Sequence, residues 1–350
     1  MALPRVDKRN SKRKCFWCIK AVKWIPVLFI VTIIVWSYYA YVVQLCIVTV
    51  ESTVNQIIYL IIYHITLIMF CWAYWKTIFT DIGKVPDKFH LPDSEYERLM
   101  HAENEEMQRH ILETFSRELP NTNCTINGTV RYCEECRNIK PDRAHHCSVC
   151  GECVLKMDHH CPWVNNCVCF TNYKFFILFL AYSLIYCIYV SLTSLQYFIA
   201  FWKGDLEGMG KFHILFLFFV ALMFAVSLVS LFGYHCYLVI YNRTTLEAFR
   251  PAIFRTGPDK NGFGLGVYNN FLEVFGNDSK KWFLPVSSSL GDGVTYPVQS
   301  QHQPRFYHSM DSTQNSLGDG YTFPQRHMDE DAEHLLIDSR HLDEETFSVP

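Results

Sequence analysis

The chain has 350 residues, half of them apolar, and a formal net charge of −3. Residues 291–350 contain three Arg, no Lys and eleven acidic residues, so this tail has a net charge of −8 and the rest of the chain +5. With so much charge and few aliphatic side chains, the tail cannot bury enough apolar surface to fold alone. The composition therefore excludes a second globular domain at this end, and we expect a disordered acidic tail.

Four long apolar stretches occupy residues 24–48, 56–79, 175–202 and 212–241. Each is long enough to cross the roughly 30 Å hydrocarbon core of a bilayer as an α-helix. The first stretch is too long and aromatic for a signal peptide and lacks a cleavage pattern of small residues, so we treat it as retained. The sequence therefore predicts a polytopic α-helical membrane protein with four transmembrane helices.

The charges that flank these stretches predict their orientation. Eight Lys and Arg residues lie within residues 1–23, whereas residues 46–55 contain none. The positive-inside rule then puts the N-terminus in the cytosol, and an even number of spans returns the C-terminus to the same side. Residues 80–174 would be cytosolic as well, and the loop 203–211 would be lumenal or extracellular.

This topology divides the chain into six segments. They are a basic cytosolic N-terminus, the first two spans, a cytosolic helix with a cysteine-rich domain, the last two spans, a cytosolic region that packs on the membrane domain, and the tail, with boundaries at 1–23, 24–79, 80–174, 175–241, 242–290 and 291–350.

An amphipathic helix is expected at the start of the long cytosolic segment. Ser94 with Glu97 has the spacing of a capping box, and Met107, Ile111 and Phe115 recur at helical spacing before a proline ends the run. We expect this helix to pack against the membrane or the metal domain.

Seven Cys and four His lie within the 35 residues from Cys133 to Cys167. CxxC pairs let two thiolates bind one ion from a tight turn, and structural Zn²⁺ takes four N or S ligands in a tetrahedron. The cytosol keeps thiols reduced, so we expect metal binding and not disulfides. Two closed sites of three Cys and one His each would leave one Cys and two His unused. A spare thiol beside a spare imidazole indicates catalytic chemistry.

The consecutive residues Asp158, His159, His160 and Cys161 are the candidates for that chemistry. Pro162 disfavours helical geometry at Cys161, so the segment should be extended, with alternate side chains on one face. His159 and Cys161 would then point together while His160 faces a metal. Asp158 would orient His159, whose other nitrogen takes the thiol proton and leaves a nucleophilic thiolate. The alternative is that Cys161 is itself a ligand and another cysteine is spare.

The whole series of motifs is long and specific. Between Cys133 and Phe176 it reads CxxC, KPDRAHHC, CxxC, CxxC, MDHHCPWVNNC and NYKFF, and TTLE follows at Thr244 to Glu247. This series resembles the DHHC zinc-finger protein S-acyltransferases, or palmitoyltransferases. Further matches, such as WIPVLFI in the first span and NGFGLG after the fourth, extend the resemblance over roughly residues 20–293. It is closest to the vertebrate subgroup that acylates many peripheral and membrane proteins in the Golgi apparatus and plasma membrane.

The resemblance implies two structural zinc ions with closed ligand sets beside a catalytic set. One zinc ion would be bound by Cys133, Cys136, His146 and Cys153, and the other by Cys147, Cys150, His160 and Cys167. Asp158, His159 and Cys161 would remain as the catalytic residues.

The resemblance also implies a ping-pong reaction with a long-chain fatty acyl-CoA such as palmitoyl-CoA as co-substrate. Cys161 would take the acyl group and pass it to a cysteine thiol of a substrate protein. The acyl chain would lie between the four helices while CoA stays in the cytosol. The expected partners are the lipid bilayer and membrane-associated proteins with cytosolic cysteines, at the Golgi apparatus, plasma membrane and endosomes.

Several residues are candidates for contacts with the acyl chain or CoA. Trp163, Phe176 and Tyr186 are expected beside the chain, although ordinary aromatic packing explains Tyr186 equally well. Ser37 would either line the closed end of the acyl cavity or let two helices approach. The basic residues that could bind the CoA phosphates are Lys140, Arg143, Lys156, Arg243, Arg250 and Arg255.

Other polar residues have expected supporting roles. Thr244 and Glu247 match the TTxE element, which in that family packs near the catalytic Asp, and they also have the spacing of an ordinary capping box. Asn270 matches a family asparagine that ties the C-terminal region to the membrane domain; otherwise it is a surface residue. His64 and His235 lie inside spans, where ionisable groups are usually paired, so we expect polar contacts between helices.

One residue departs from the family pattern, because Cys169 stands where Gly is usual. If φ is positive there, a Cβ atom would add about 1 kcal/mol or more of strain. A second free thiol near Cys161 could also disturb acylation or be acylated itself. The alternative function is therefore a catalytically impaired zinc-binding scaffold, in which Cys161 is dispensable.

Two further classes of zinc protein fit poorly. A nucleic-acid-binding finger is disfavoured because the cluster is tethered to a membrane and lacks a recognition helix with the downstream HxxxH spacing. A zinc hydrolase is disfavoured because the predicted ligand sets have no open position for water. We therefore expect no nucleic-acid partner.

Overall fold

A computed structural model describes residues 21–299. The predictions for the basic stretch 1–20 and for the tail beyond residue 299 lie outside this range. Four helices are long and apolar enough to span a membrane, which confirms the predicted fold class. The spans, which begin and end within a few residues of the apolar stretches, are Ile25–Thr49, Thr53–Phe79, Tyr173–Lys203 and Lys211–Ile240.

The α-helices and strands are numbered here in chain order. The α-helices are α1 Ile25–Tyr38, α2 Thr53–Phe79, α3 Asp93–Met100, α4 Glu105–Ser116, α5 Tyr173–Lys203, α6 Lys211–Ile240, α7 Thr245–Phe249 and α8 Val267–Phe275. The strands are β1 Tyr132–Cys133, β2 Asn138–Ile139, β3 His145–Cys147, β4 Glu152–Val154, β5 His159–Cys161, β6 Asn166–Val168, β7 Ala252–Phe254 and β8 Gly257–Asp259. A π-helical segment, Tyr39–Thr49, continues α1.

Helix α5 is the central helix of the membrane bundle. It packs along both α2 and α6 and buries residues along most of its length. It ends at Gly204, whose φ of 81° is the left-handed conformation that terminates helices and that glycine adopts without a Cβ clash. The short loop that follows leads directly into α6. This arrangement makes α5 the wall against which any cavity between the helices is built.

The segment between the second and third spans contains two α-helices ahead of the cysteine cluster, where one was predicted. Helix α3 begins after Pro92, so Ser94 lies in its first turn and the predicted capping box is wrong. Helix α4 begins at Asn104, whose side-chain oxygen accepts a hydrogen bond from the Met107 amide at 2.8 Å. Ile111 is buried in a core shared with the cysteine-rich domain, so α4 packs against that domain.

Three short antiparallel hairpins make up the cysteine-rich domain: β1–β2, β3–β4 and β5–β6. A fourth hairpin, β7–β8, follows α7 on the C-terminal side of the last span. Phe254 of this hairpin packs with Phe263, Tyr296 and Val298 in a small core of its own. Arg143, which lies between the first two hairpins of the cysteine-rich domain, is placed over the rings of Phe263 and Tyr296. The C-terminal region therefore packs against these hairpins.

Candidate active site

The three hairpins of the cysteine-rich domain have the same turn geometry. In each, one residue with left-handed backbone comes just before the returning strand: Arg137 with φ 53°, Gly151 with φ 79° and Asn165 with φ 47°. Such turns reverse the chain within a few residues. They therefore point two side chains of the turn in one direction, as paired metal ligands require.

The first cysteine and histidine cluster joins the first two hairpins. Cys133 and Cys136 come from the β1–β2 turn, whereas His146 and Cys153 face each other across the β3–β4 ladder. The Nδ1 atom of His146 lies 3.6 Å from the Sγ atom of Cys133 and 3.3 Å from that of Cys136. The four residues could hold one metal ion.

The second cluster repeats this arrangement one hairpin later. The Nδ1 atom of His160 lies 3.7 Å from the Sγ atom of Cys147 and 3.5 Å from those of Cys150 and Cys167. Tetrahedral Zn²⁺ with its usual bond lengths separates an S and an N ligand by about 3.5 Å and two S ligands by about 3.8 Å. The donor sets and their spacings thus fit two metal ions of this kind.

Cys161 lies outside both clusters. The strand β5 is extended as predicted, and His160 points into the second cluster. The neighbours on either side of His160, which are His159 and Cys161, both line a cavity between the membrane helices. The alternative in which Cys161 is a metal ligand is therefore wrong for this structure, because both clusters are complete without it.

Asp158 orients the imidazole of His159. A hydrogen bond of 2.6 Å runs from the Nδ1 atom of His159 to the Oδ2 atom of Asp158. Burial alone would raise the pKa of Asp158, but hydrogen bonds from His159 and the Thr245 amide outweigh burial and lower it. Burial likewise would lower the pKa of His159, yet Asp158 and the neighbouring Cys161 thiol raise it to about 9. The carboxylate thus stabilises a protonated imidazole.

Thr245, and not Thr244, is the threonine that contacts Asp158. Both its amide nitrogen and its Oγ1 atom donate hydrogen bonds of 2.8 Å to Asp158. Thr244 instead caps α7 in a capping box with Glu247. The sequence motif has two adjacent threonines, and only the turn at the start of α7 decides which of them faces Asp158.

Arg143 was a candidate for binding the CoA phosphates, but it is buried and all of its bonds are to other groups of the protein. Its guanidinium is fully buried and donates to both carboxylate oxygens of Glu247, at 2.8 and 2.7 Å. It also donates to the side chain and the carbonyl of Asn242 at 3.0 and 2.9 Å. The bidentate pair of Arg143 and Glu247 joins the cysteine-rich domain to α7 and so supports the position of Thr245.

Lys156 and Arg243 are also occupied by protein partners. The Nζ atom of Lys156 lies 3.3 Å from a carboxylate oxygen of Glu273, and the side chains are both largely buried. Arg243 donates to the Lys260 carbonyl and to the Asn261 side chain. By contrast, Arg250 and Arg255 are exposed, at the end of α7 and in the β7–β8 turn, so their predicted role in CoA binding stays a prediction.

His235 of α6 joins the site, which the sequence did not indicate. Ligand atoms of Asp158, His159 and His235 all lie within 4.8 Å of one another. His235 is buried, its Nδ1 atom lies 3.2 Å from the hydroxyl of Tyr173, and its ring packs edge-on against Phe176.

The predicted polar contacts between helices are confirmed for His235 and for His64, which bonds the Tyr38 hydroxyl. No sequence signal placed His235 beside His159.

A long apolar cavity of about 580 Å³ opens beside Cys161 and extends between the membrane helices. Its lining includes four residues that sequence analysis proposed as acyl contacts: Ser37, Trp163, Phe176 and Tyr186. The hydroxyl of Tyr186 lies 2.9 Å from the Oγ atom of Ser37 and 2.9 Å from the hydroxyl of Tyr63. Three helices are thus joined by this polar group, which lies among otherwise apolar side chains.

Asn270 is buried at the junction of α8 and α6. Its side-chain nitrogen donates to the carbonyl of Ile240 at 2.7 Å, and its side-chain oxygen accepts from the Leu265 amide at 2.8 Å. The side chain thus satisfies one of the last carbonyls of a membrane helix, which have no partner within the helix. The surface alternative for Asn270 does not describe this structure.

Cys169 is not strained. Strain was expected only if φ were positive at this position, and the backbone of Cys169 lies outside the left-handed region. The side chain is fully buried, with its Sγ atom 3.3 Å from the hydroxyl of Thr171, and packs beside Met157 in a core distinct from the cavity. Burial raises the pKa of the Cys169 thiol. A buried thiol with a raised pKa is a poor competitor for acylation.

The fold and the site are those of a membrane-embedded protein with two cysteine and histidine clusters that could hold metal ions, and with a separate thiol and imidazole that line an apolar cavity. The family model of the DHHC palmitoyltransferases matches residues 126–251. The chain is 53% identical to palmitoyltransferase ZDHHC15 of Rattus norvegicus over 82% of its length and 85% of that protein. It is 55% identical to palmitoyltransferase ZDHHC20-A of Danio rerio, over 81% and 79%. For palmitoyltransferase ZDHHC2 of Homo sapiens the identity is 50%, over 92% and 89%.

The chain therefore belongs to the DHHC palmitoyltransferase family, a family of acyltransferases.

Proposed function

We propose that the protein transfers a long-chain fatty acyl group from acyl-CoA to Cys161, and from Cys161 to cysteine thiols of membrane-associated proteins. The observation that carries this proposal is the position of Cys161 in the wall of an apolar cavity, which it lines together with His159, whose imidazole Asp158 orients. The apolar cavity can hold a long acyl chain, and the thiol in its wall can attack the thioester at the end of that chain.

In the first half-reaction the Cys161 thiolate attacks the carbonyl carbon of the acyl-CoA thioester. Because the Nδ1 atom of His159 is bound to Asp158, its other ring nitrogen is the one that can take the Cys161 proton. The bond between the carbonyl carbon and the CoA sulfur then breaks, and CoA leaves with a proton returned by His159. The product is an acyl-enzyme thioester with its chain in the cavity.

In the second half-reaction a substrate cysteine replaces CoA. His159 takes the proton of the incoming thiol, the new thiolate attacks the acyl-enzyme, and Cys161 leaves and is reprotonated. One thioester is exchanged for another in each half, so both steps are close to reversible. The rates therefore depend on placing acyl chain, thiol and imidazole together.

The metals proposed for the two clusters are zinc ions, with Cys133, Cys136, His146 and Cys153 in one set and Cys147, Cys150, His160 and Cys167 in the other. Zinc would supply structural crosslinks between successive hairpins. Closed sets of four protein ligands leave no position for a reactive water. The hairpins are too short to hold their register by burial alone, so we expect metal binding and folding of this domain to be coupled.

The membrane orientation and the location of the protein are also proposals. The basic N-terminal stretch supports a cytosolic N-terminus, and the exposed Arg250 and Arg255 would then face the compartment that contains acyl-CoA. The membrane-embedded fold supports the bilayer as a partner and membrane-associated proteins as substrates. By family resemblance, we propose the Golgi apparatus and the plasma membrane or endosomes as its locations.

The acyl-contact residues are proposed to set the length of the chain that fits. Ser37, Tyr63 and Tyr186 form a polar group between the helices, which an apolar chain end would not pass without leaving hydroxyls unsatisfied. Replacing Ser37 or Tyr186 with smaller or apolar residues should shift the chain preference. Trp163 and Phe176 would contact the part of the chain nearer the thioester.

The test is incubation of purified protein in detergent with labelled palmitoyl-CoA, followed by hydroxylamine, which cleaves thioesters. We expect hydroxylamine-labile label on the wild type and none on Cys161→Ser, with equal zinc content in both. Cys169→Gly is the matched control, because it removes a nearby thiol that the mechanism does not use. Absence of label on folded, zinc-loaded wild type, or label retained on Cys161→Ser, would contradict the proposal.

A further inference from the structure

The wall of the acyl cavity is incomplete on one side. On α6, Met223, Ser227 and Leu231 line the cavity and are also exposed on the outer face of the helix bundle. Met223 is 58% exposed and Leu231 42%, so the two side chains can touch cavity and bilayer at once. The three residues are spaced four apart, which puts them on one ridge about 12 Å long.

The opposite edge of this opening belongs to α1. Ile30 and Ile33 line the cavity there and are half-buried. Helix α6 packs closely against the π-helical segment Tyr39–Thr49, whereas α1 itself makes few contacts with α6. Near their junction, the Nε1 atom of Trp36 donates to His213 at 3.3 Å. The two helices thus meet at one end and diverge toward the hairpin domain.

We call this opening the lateral slit, bounded by Ile30 and Ile33 on α1 and by Met223, Ser227 and Leu231 on α6. Its edges are apolar except for Ser227, whose hydroxyl donates to the Met223 carbonyl of its own helix at 3.0 Å. The slit therefore offers no unsatisfied polar group to the bilayer. Because it lies within membrane-spanning helices, the medium outside it is lipid hydrocarbon.

We propose that the acyl chain of the donor enters and leaves the cavity sideways from the bilayer, through the lateral slit. This proposal rests on the acyl-transfer function above. Threading a long chain endwise would expose it to water, which is unfavourable in proportion to its length. Sideways movement keeps every methylene in apolar surroundings. The slit is continuous with the cavity, so the thioester can stay beside Cys161 while the chain moves.

A pair of serine variants on α6 tests the route. Ser227→Trp fills the slit, whereas Ser230→Trp places the same side chain on an exposed position of the same helix that does not line the cavity. Both variants are reconstituted into phosphatidylcholine vesicles after their zinc content is matched to wild type. Formation of the acyl-enzyme is followed in a single turnover with palmitoyl-CoA and, separately, with octanoyl-CoA. Reversal is followed after addition of free CoA.

We expect Ser227→Trp to slow both loading and reversal with palmitoyl-CoA by about tenfold. With the slit blocked, the palmitoyl chain must expose more apolar surface to water on another route than the shorter octanoyl chain does. The final extent of loading should be unchanged, since a blocked route alters rates and not the equilibrium between two thioesters. With octanoyl-CoA, the rates of Ser227→Trp should be within about twofold of the wild-type rates. The rates of Ser230→Trp should be within about twofold of wild type with either acyl-CoA.

Other results overturn the proposal in distinct ways. A lower final extent of palmitoyl loading would mean that Trp at position 227 fills the binding cavity and does not block a route. Equal rates in Ser227→Trp and Ser230→Trp would mean that the chain enters from the cytosolic mouth. Faster loading in Ser227→Trp would mean that the slit admits competing bilayer lipids. In each case, hydroxylamine-labile label on wild-type Cys161 would leave the acyl-transfer function itself intact.

Discussion

The second and third hairpins of the cysteine-rich domain share one register but have different chemistry. In β3–β4, His146 pairs with Cys153 across the ladder, and in β5–β6 His160 pairs with Cys167, fourteen positions later. Both histidines are metal-ligand candidates, as are both of their partners. The strands of the two hairpins are therefore equivalent, and the difference between them arises in the turn.

In the turn of the second hairpin, Cys147 and Cys150 form a ligand pair. The equivalent residues of the third hairpin are Cys161 and Val164, and Val164 is fully buried. After the third hairpin the chain enters α5, so no fourth hairpin brings another histidine and cysteine. Cys161 thus occupies a ligand position whose three partners are missing. The proposed nucleophile therefore stands at a position that is a metal-ligand candidate in the preceding hairpin and is left without partners where the repeat stops.

The first residues of the two hairpins differ in their electrostatics. His145 follows Ala144, and burial together with the nearby Arg131 lowers its pKa to about 4. His159 follows Asp158 at the equivalent position, and the carboxylate raises its pKa to about 9 against the effect of burial. One preceding residue therefore decides whether the histidine is neutral or poised to carry a proton.

The largest expected effects come from replacing each of two equivalent cysteines, Cys161 and Cys147, with serine in separate variants. Cys161→Ser should abolish the acyl-enzyme and leave two zinc ions bound, because it is not a ligand. Cys147→Ser should lose about one zinc ion and much of the thermal stability, because metal binding and folding are coupled. Zinc content by elemental analysis and label on the protein give the two readouts. Equal zinc content in the two variants would contradict the assignment of Cys147, and not Cys161, as a metal ligand.

A smaller loss is expected for Asp158→Asn. The amide keeps the size of the side chain but does not stabilise a protonated imidazole, so autoacylation should slow by about 10²–10⁴-fold. Zinc content should be unchanged, since Asp158 is in neither ligand set. The measurement is the single-turnover rate with palmitoyl-CoA. A wild-type rate in the variant would show that the carboxylate is not needed to orient His159.

Val164→Cys makes the third turn resemble the second, and we expect it to recruit Cys161 to a soft metal ion. Cd²⁺ should inhibit this variant at about tenfold lower concentration than wild type, because two thiolates in a CxxC turn bind soft cations better than one. Val164→Ser is the matched control, since it also shortens the buried side chain but adds no thiolate. Equal Cd²⁺ sensitivity of the two variants would show that the turn does not present paired ligands.

The smallest effect concerns Lys156, whose counterpart in the next hairpin is Phe170. Burial and the nearby Arg143 lower the pKa of Lys156 to about 8. Between about pH 8 and about pH 10 the unfolded chain therefore binds the proton that the folded chain has lost, so the free energy of unfolding rises with pH. The contribution of Lys156 is the difference between wild type and Lys156→Met, because other titrating groups are common to both. In thermal unfolding across this window, the free energy of unfolding of wild type should increase relative to that of the variant as the pH rises.

Lys280→Met is the control for the pH experiment. Lys280 is exposed in the short 3₁₀ helix Ser279–Lys281, where a solvated charge contributes little to stability. Its replacement should leave the dependence of stability on pH as in wild type. The same loss in both variants would mean that the rise does not belong to the buried Lys156.

Local spacing was enough to predict much of the site. The extended segment at Asp158 to Cys161, with His160 facing away from its neighbours, was derived from Pro162 and strand geometry alone. The capping box at Thr244 was read correctly, whereas the one at Ser94 was not, because Pro92 starts α3 two residues earlier. The failure is thus also local, because a proline two residues before Ser94 sets the start of the helix.

Local patterns of residues were enough to locate the four spans and to predict the extended DHHC segment, because each depends on residues a few positions apart. The folded structure was needed to show that Thr245 bonds Asp158 across 87 positions and that Arg143 pairs with Glu247 across 104. It alone placed His235 beside His159, buried Cys169 away from the cavity and opened the lateral slit. Such contacts depend on how helices and hairpins pack, which a local pattern of residues does not encode.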